Sequence, residues 1–366
     1  MTRLWIRAEV KPFEKRTPLI PNHAKLLIEA GITVTIEKSK GRIYTDDDYA
    51  EAGCQLAEAQ SWQDSSKETY VMGIKELPDE DFPLHHKHIY FAHVYKGQSD
   101  SKKILARFQK GEGILYDLEY LKCEKGKRVT TFGFWSGMAG AAVTLLSWCQ
   151  KVKGYEGPYK VAPFYANVAL LYADLKKELN DIQEKPKALI IGYKGRCGKG
   201  AAALLNDMQI TPVLWGRENT GENKSFQKIL DFDLLFNCVF VDHKIEPFLT
   251  SSVLENNRKL SFINDISCDP TSSFNPLPLY DSITTFDKPS VKINGGKCPI
   301  DLIAIDHLPT FLPKESSDDF SAQLFPFLLQ LDGNEMEDSV WNRSEGIYRL
   351  QTSLNGKAND ALMATL

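Results

Sequence analysis

Residues 188–205 read ALIIGYKGRCGKGAAALL, and four glycines, Gly192, Gly195, Gly198 and Gly200, fall within nine residues directly after an apolar run. Glycine has the most backbone freedom to lose on folding and is unfavourable inside regular elements. What the pattern supplies is backbone access. Continued through PKALIIGYKGRCGKGAAALLNDMQITPVLWGREN (186–219), the stretch reads as strand, glycine loop, helix and strand, the outline of a βαβ unit. In such a unit the backbone approaches a pyrophosphate at the start of the helix, where free N–H groups and the helix dipole favour anions. It is not a P-loop, because Lys199 is followed by Gly200 and not by Ser or Thr. The candidate cofactor ligands are Gly192, Gly195, Arg196, Cys197 and Gly198. A bare structural turn is the alternative.

The second strand of this unit ends in Trp215-Gly216-Arg217-Glu218. An acid at that point holds the adenosine ribose hydroxyls, whereas a missing acid followed by Arg suits a 2′-phosphate. Arg217 supports the second reading, Glu218 the first if the chain turns one residue later, and a solvated Arg217 supports neither.

Working outward, the first 120 residues alternate strand-like and helix-like runs: RLWIRAEV (3–10), PNHAKLLIEAG (21–31), ITVTIEK (32–38), TDDDYAEAG (45–53), TYVMGI (69–74), HIYFAHVY (88–95), SDSKKILARFQKG (99–111) and GILYDLEYL (113–121). This alternation predicts a parallel sheet with flanking helices. Further strands are expected at LLFNCVFV, SFINDIS and SVKING. A helix is expected near 165–183 and another through DDFSAQLFPFLLQL, bent near Pro326, with a polar tail of weak helical pattern. Residues 129–150 carry no charge and are long enough to span a bilayer, but three Thr, two Ser and three Gly keep them only modestly apolar. They read as a buried helix packed between domains.

The totals bound the function. The 366 residues are 43% hydrophobic and 25% charged, ordinary for a soluble two-domain chain. A net charge of −4 argues against a nucleic-acid partner. Seven cysteines without a CxxC, and a start lacking an apolar signal core, fit reduced thiols in a cytoplasm and offer no metal site.

Titratable groups follow the strand-like cores: Lys75 and Glu76 after VMGI, His93 in YFAHVYK, and Glu119 in LYDLEY. Ligands of open α/β sheets collect at the carboxyl ends of strands, where a Lys and a His supply acid–base groups and an acid tunes them. Surface charges and a satisfied core histidine are the plain alternative. Lys11, Glu14 and Arg16 read either as a carboxylate-binding set or as solvated charges.

In order, RAEVKPFEKRTPLIP, GIKELP, FAHVYKGQ, LYDLE, GYKGRCGKGA and IDHLPTFLPKESS resemble the NAD-dependent, lysine-forming saccharopine dehydrogenases, relatives in fold of alanine dehydrogenases and the transhydrogenase subunit. The likeness runs from about residue 3 to 330. It implies an α/β fold of two Rossmann-like domains, mainly parallel, with the active site in a cleft: 1–131 plus 316–366 for substrate and catalysis, 132–315 for the dinucleotide. It further implies oxidation of saccharopine and hydrolysis to lysine and 2-oxoglutarate, by a monomer or small homo-oligomer that takes no membrane partner. Lys75 would act as base on the amine and His93 in the hydrolytic steps, with Glu76 and Glu119 tuning them. Lys11, Arg16, Lys96 and Arg128 would hold substrate carboxylates. Asp306 would serve the nicotinamide side, and Cys197 and Cys238 would lie together near the cofactor. The family's usual Trp-Asp is Trp215-Gly216 here, so NAD is the expected cofactor with NADP kept open by Gly216 and Arg217. A dehydrogenase for another amino acid such as alanine, and a nucleotide-binding regulator without turnover, are the alternatives.

Overall fold

Two sheets carry the chain in the computed structural model, which describes residues 1–95, 100–221, 226–241, 243–294, 298–331 and 339–354. One belongs to a unit of residues 1–131 with 316–366, the other to a unit of residues 132–315.

The first unit begins with β1 (Arg3–Ile6), α1 (Pro21–Glu29), β2 (Thr33–Glu37), α2 (Asp46–Glu51), β3 (Gln55–Ala57), β4 (Tyr70–Met72), β5 (Lys87–Tyr90), α3 (Ser101–Gly111) and β6 (Ile114–Asp117). The strands lie in the order β3-β2-β1-β4-β5-β6, and every neighbouring pair is parallel. Buried apolar residues such as Leu4, Ile6, Val71, Met72, Ile89 and Leu115 fill the strands, as a sheet covered on both faces requires. The order reverses between β1 and β4, and the crevice outside the carboxyl ends at such a reversal is where open α/β sheets bind ligands.

The second unit contains α4 (Gly133–Val152), α5 (Val168–Asn180), β7 (Ala188–Ile191), α6 (Arg196–Asp207), β8 (Val213–Trp215), α7 (Arg217–Thr220), β9 (Leu234–Asn237), α8 (Ser251–Leu254), β10 (Phe262–Asp265), β11 (Val291–Ile293) and β12 (Ile300–Ile303). Its sheet order is β11-β12-β10-β9-β7-β8, parallel except for the β11–β12 edge. Here the reversal lies between β7 and β9. The chain then runs through α9 (Pro313–Leu328) and into α10 (Val340–Leu354). In the first unit, Ser317 and Ser321 of α9 accept hydrogen bonds from the Thr17 and Ile20 amides at 3.0 and 3.1 Å. Along α10, Tyr348 donates to the Gly113 carbonyl at 3.0 Å.

The uncharged segment is α4, whose residues 137–149 are all buried. Its small residues serve packing against α6 inside the second unit. A Cβ on Gly137 would stand 1.8 Å from the Cys197 carbonyl oxygen, and one on Gly200 1.8 Å from that of Phe134. Thr144 donates to the Gly140 carbonyl and accepts from Asn264 Nδ2 at 2.8 Å each, so its polar group is paired. No helix among the described residues is long and apolar enough to cross a membrane.

Four elements differ from the sequence reading. The first strand stops at Ile6 and the fifth at Tyr90, short of RLWIRAEV and HIYFAHVY, because the chain leaves the sheet at its carboxyl edge and His93 adopts a φ of +53°. IDLI supplies β12, which the sequence reading left unassigned. The polar tail forms α10 against β6, where Trp341 is 1% exposed and meets the Tyr116 ring edge-on at 5.6 Å. Pro326 lies within α9 close to its end.

Candidate active site

At the reversal of the first sheet, the segments after two strands, β1 and β4, build one electrostatic cluster. Arg7 follows β1, lies against Gly73, where a Cβ would stand 2.4 Å from its guanidinium carbon, and donates to the Lys75 carbonyl. Glu9 accepts from the amides of Ile74 at 2.5 Å and Lys75 at 3.0 Å, and lies 3.4 Å from Arg7. Lys75 is therefore set by its backbone: carbonyl to Arg7, amide to Glu9. Burial pushes the Glu9 carboxyl above its ordinary range, and the nearby Glu14 charge adds to this against the pull of Arg7. Glu14 is also buried, which opposes ionisation. The Arg16 charge and hydrogen bonds of 2.5 to 3.0 Å, with help from Lys75, nevertheless hold it below its usual value.

Arg16, expected to hold a substrate carboxylate, is thus a buried side chain 2% exposed, with Nε and one Nη donating to Glu14. Lys11 is half-buried in the same loop. Glu76 is half-buried, and its charge acts on the Tyr90 hydroxyl. Lys96 lies outside the described residues.

His93 and Glu119 meet after β5 and β6. The His93 Nδ1 stands 3.5 Å from Glu119 Oε2, and an Arg128 Nη stands 3.9 Å from Oε1. The His93 side chain is 44% exposed and that of Glu119 only 13%, so an accessible imidazole backs onto a sheltered acid. His93 takes a left-handed φ of +53° and stacks on Phe91 at 6.3 Å. A non-glycine residue in that region is uncommon and held by its surroundings. Behind the pair, Asp117 at the end of β6 is fully buried and accepts from the Glu119 amide at 2.9 Å. Burial, with the Glu119 charge, pushes its carboxyl up to about 6 against the pull of that amide and of His93.

Arg7, Glu9 and Asp117 were not singled out from the sequence. All three stand at or just past a strand end, the signal that selected Lys75 and Glu119. Glu37, which ends β2 at the position of a ribose-binding acid, accepts from Trp5 Nε1 and from the amides of Ala8, Gln60 and Trp62 at 2.8 to 3.1 Å. The Glu37 carboxylate is thus engaged by four donors, and the segment after β1 carries Arg7 and Glu9 in place of glycines.

The second sheet carries the glycine loop after β7. Gly192 leaves β7 with φ +89°, donates to the Trp215 carbonyl, and is crowded by the Cys238 carbonyl at 2.9 Å from a would-be Cβ. A Cβ on Gly198 would stand 2.5 Å from the Gly192 oxygen. Gly195 is different: it caps α6 at φ −73°, is exposed, and a Cβ would find only the Gly192 oxygen at 3.4 Å. Its hydrogen leaves room above the open amides of α6, flanked by exposed Lys194, Arg196 and Lys199. This cradle fits a dinucleotide pyrophosphate.

At the end of β8, Glu218 folds back over Gly216, where a Cβ would stand 2.6 Å from both carboxylate oxygens. Glu218 also pairs with Lys194 at 3.2 Å. Its own amide and Lys194 hold the carboxylate below its ordinary value. Arg217 is exposed. The Cys197 and Cys238 side chains hydrogen-bond to one another, which together with burial pushes the Cys238 thiol well up. Both cysteines are free thiols. Asp306 lies 2.5 Å from His307 Nδ1.

Residues 5–139 match the family model for the alanine dehydrogenase/PNT N-terminal domain. The NAD(+), L-lysine-forming saccharopine dehydrogenase of Emericella nidulans is 43% identical over 361 residues, spanning 94% of this chain and 96% of that one. That of Schizosaccharomyces pombe is 38% identical over 358 residues, spanning 94% and 97%. Among solved structures, an L-alanine dehydrogenase aligns with a TM-score of 0.66 at 16% identity over 94% of each chain. The transhydrogenase of Sinorhizobium meliloti aligns at 0.58 with 13% identity, over 90% of this chain and 94% of that one. These two agree in fold.

Proposed function

The chain belongs to the L-lysine-forming saccharopine dehydrogenase family, and from that premise we propose that it interconverts saccharopine with L-lysine and 2-oxoglutarate, using NAD, in lysine metabolism. What supports this reading most directly is that a backbone-fixed Lys75 and an exposed, acid-backed His93 follow the carboxyl ends of two neighbouring parallel strands, β4 and β5.

The roles follow from the chemistry. Gly192, Gly195, Arg196, Cys197 and Gly198 hold the pyrophosphate. Glu218 takes the ribose hydroxyls, which favours NAD over NADP because a 2′-phosphate would meet its carboxylate. Asp306 serves the nicotinamide side. When bound, the nicotinamide supplies a hydride acceptor for the carbon beside the secondary amine. Lys75 removes the amine proton, and the Glu14 carboxylate beside it compensates the charge it then carries. Water adds to the resulting imine carbon. His93 takes a proton from that water, returns it to the leaving nitrogen, and takes the carbinolamine hydroxyl proton as the C–N bond breaks and the carbonyl forms, releasing lysine and 2-oxoglutarate. Glu119 orients the imidazole and stabilises its charged form, and Glu76 adds negative charge near Lys75. Lys11 and Arg128 take the substrate carboxylates, with Arg16 acting from behind through Glu14, and Lys96 keeps that role on the family resemblance alone.

Lys75→Met and His93→Gln test the assignment. Each should lower kcat about 10²- to 10⁴-fold while the dinucleotide still binds. Unchanged turnover in either variant would remove that residue from the mechanism.

A further inference from the structure

The carboxyl of Asp117 faces no solvent, and its position has consequences for the pair in front of it. Oδ1 accepts the Glu119 amide at 2.9 Å, while Oδ2 has no hydrogen-bond partner among the described residues. The hydroxyls of Tyr90 on β5 and Tyr95 in the following segment are likewise buried without partners, and both respond to the Asp117 charge. Tyr120 responds to Asp117 and Glu119 together. The Ala92 amide also pulls on this carboxyl, which lies two residues from an acid 3.5 Å from His93, so that Asp117, Glu119 and His93 act on one another as coupled charges.

We propose that Asp117 is a positioning residue for the His93 step: it fixes Glu119 through the backbone and shares one proton with the Glu119–His93 pair, so that three groups set the charge of His93. This rests on the reading of His93 as the hydrolytic base. The proton that His93 takes from water stays on the Asp117–Glu119–His93 unit until it is returned to the leaving nitrogen, and the unit then receives the carbinolamine hydroxyl proton as the C–N bond breaks and the carbonyl forms. The unit spans the ends of β5 and β6. The other charged and titratable groups around it are Arg128 beside Glu119, Arg7, Arg107 and Glu76 around Tyr90, and Tyr348 from α10 near Tyr95. Burial keeps Asp117 titrating near 6, inside the range in which an imidazole changes charge.

Asp117→Asn keeps an oxygen for the Glu119 amide and removes the charge. Loss of a nearby negative charge disfavours the imidazolium. The acid limb of the kcat profile for saccharopine cleavage should therefore move about half a pH unit or more to lower pH, with KM for saccharopine within about twofold. A purely structural Asp117 would lower the amount of folded enzyme and leave the limb in place, which overturns the proposal. A second measurement needs neither this variant nor turnover: the Asp117 carboxyl carbon, followed by NMR against pH in the wild type and in His93→Gln. Coupling is reciprocal, so its inflection near 6 should move upward when the imidazole is removed. An inflection that does not move refutes the sharing. Failure of the wild type to use lysine and 2-oxoglutarate would instead refute the function while leaving the NMR result to decide the coupling.

Discussion

Glu9 shows how one side chain fixes another without touching it. Its carboxylate accepts the Ile74 and Lys75 amides, so Glu9→Ala leaves two buried donors without their acceptor and should cost about 1–3 kcal/mol of stability, measurable by urea unfolding. The same variant should lower kcat, because Lys75 loses its anchor. Asp117 acts on stability with a definite sign. Its folded carboxyl titrates near 6, above a free aspartate near ~3.9, so the native state binds this proton more tightly. The contribution is present at low pH and lost as pH rises through about 6. Asp117→Asn should therefore gain up to about 2–3 kcal/mol over the wild type at pH 8 and nothing at pH 4, read from the two Tm curves. The position of Lys75, His93 and Glu119 at the carboxyl ends of strands was legible, because each lies in or just after a strand-like run. Glu9 and Arg7 were not, because nothing in RAEVK says that two charges in one loop turn inward to hold the backbone after a strand 65 residues later.

Among the elements, the glycine loop was readable in outline but not in its division of labour. Gly192 needs its positive φ, Gly198 and Gly200 have no room for a Cβ, and Gly195 is open. Gly200→Ala should destabilise the second unit by about 1–3 kcal/mol, because α4 must move off α6. Gly195→Ala should fold normally, since φ −73° suits alanine, yet raise the dissociation constant for NAD about tenfold or more by intruding on the pyrophosphate. Thermal melts and a nucleotide titration of both variants separate the two roles. Equal loss of stability would contradict the division. The short strands were misjudged for a related reason. HIYFAHVY has strand composition throughout, but the backbone reversal at His93 is imposed by the tertiary site, and propensity carries no trace of it. The helix α10 was faint because its buried side, Trp341 and Tyr348 among it, is scattered through a polar run.

At the scale of the whole molecule, two sheets of the same general kind carry different loops, and single residues at strand ends make the difference. After β1 the first sheet has Arg7 and Glu9 where a glycine loop would stand, and its ribose-position acid Glu37 is held by four donors. After β7 the second has Gly192 and Gly195, and Glu218 stands near the surface at the end of β8. The order of the strands was not legible in either case, since alternation gives a parallel sheet but not the point at which it reverses. Glu218→Ala should raise KM for NAD and narrow its advantage over NADP, most of all when combined with retained Arg217. The central claim is tested most directly by mixing the protein with L-lysine, 2-oxoglutarate and reduced cofactor, and following the loss of reduced-nicotinamide absorbance. The account predicts loss that requires both substrates and is faster with NADH than with NADPH. Loss that proceeds with pyruvate and ammonia in their place, or none with either pair in protein shown to bind NADH, would contradict it.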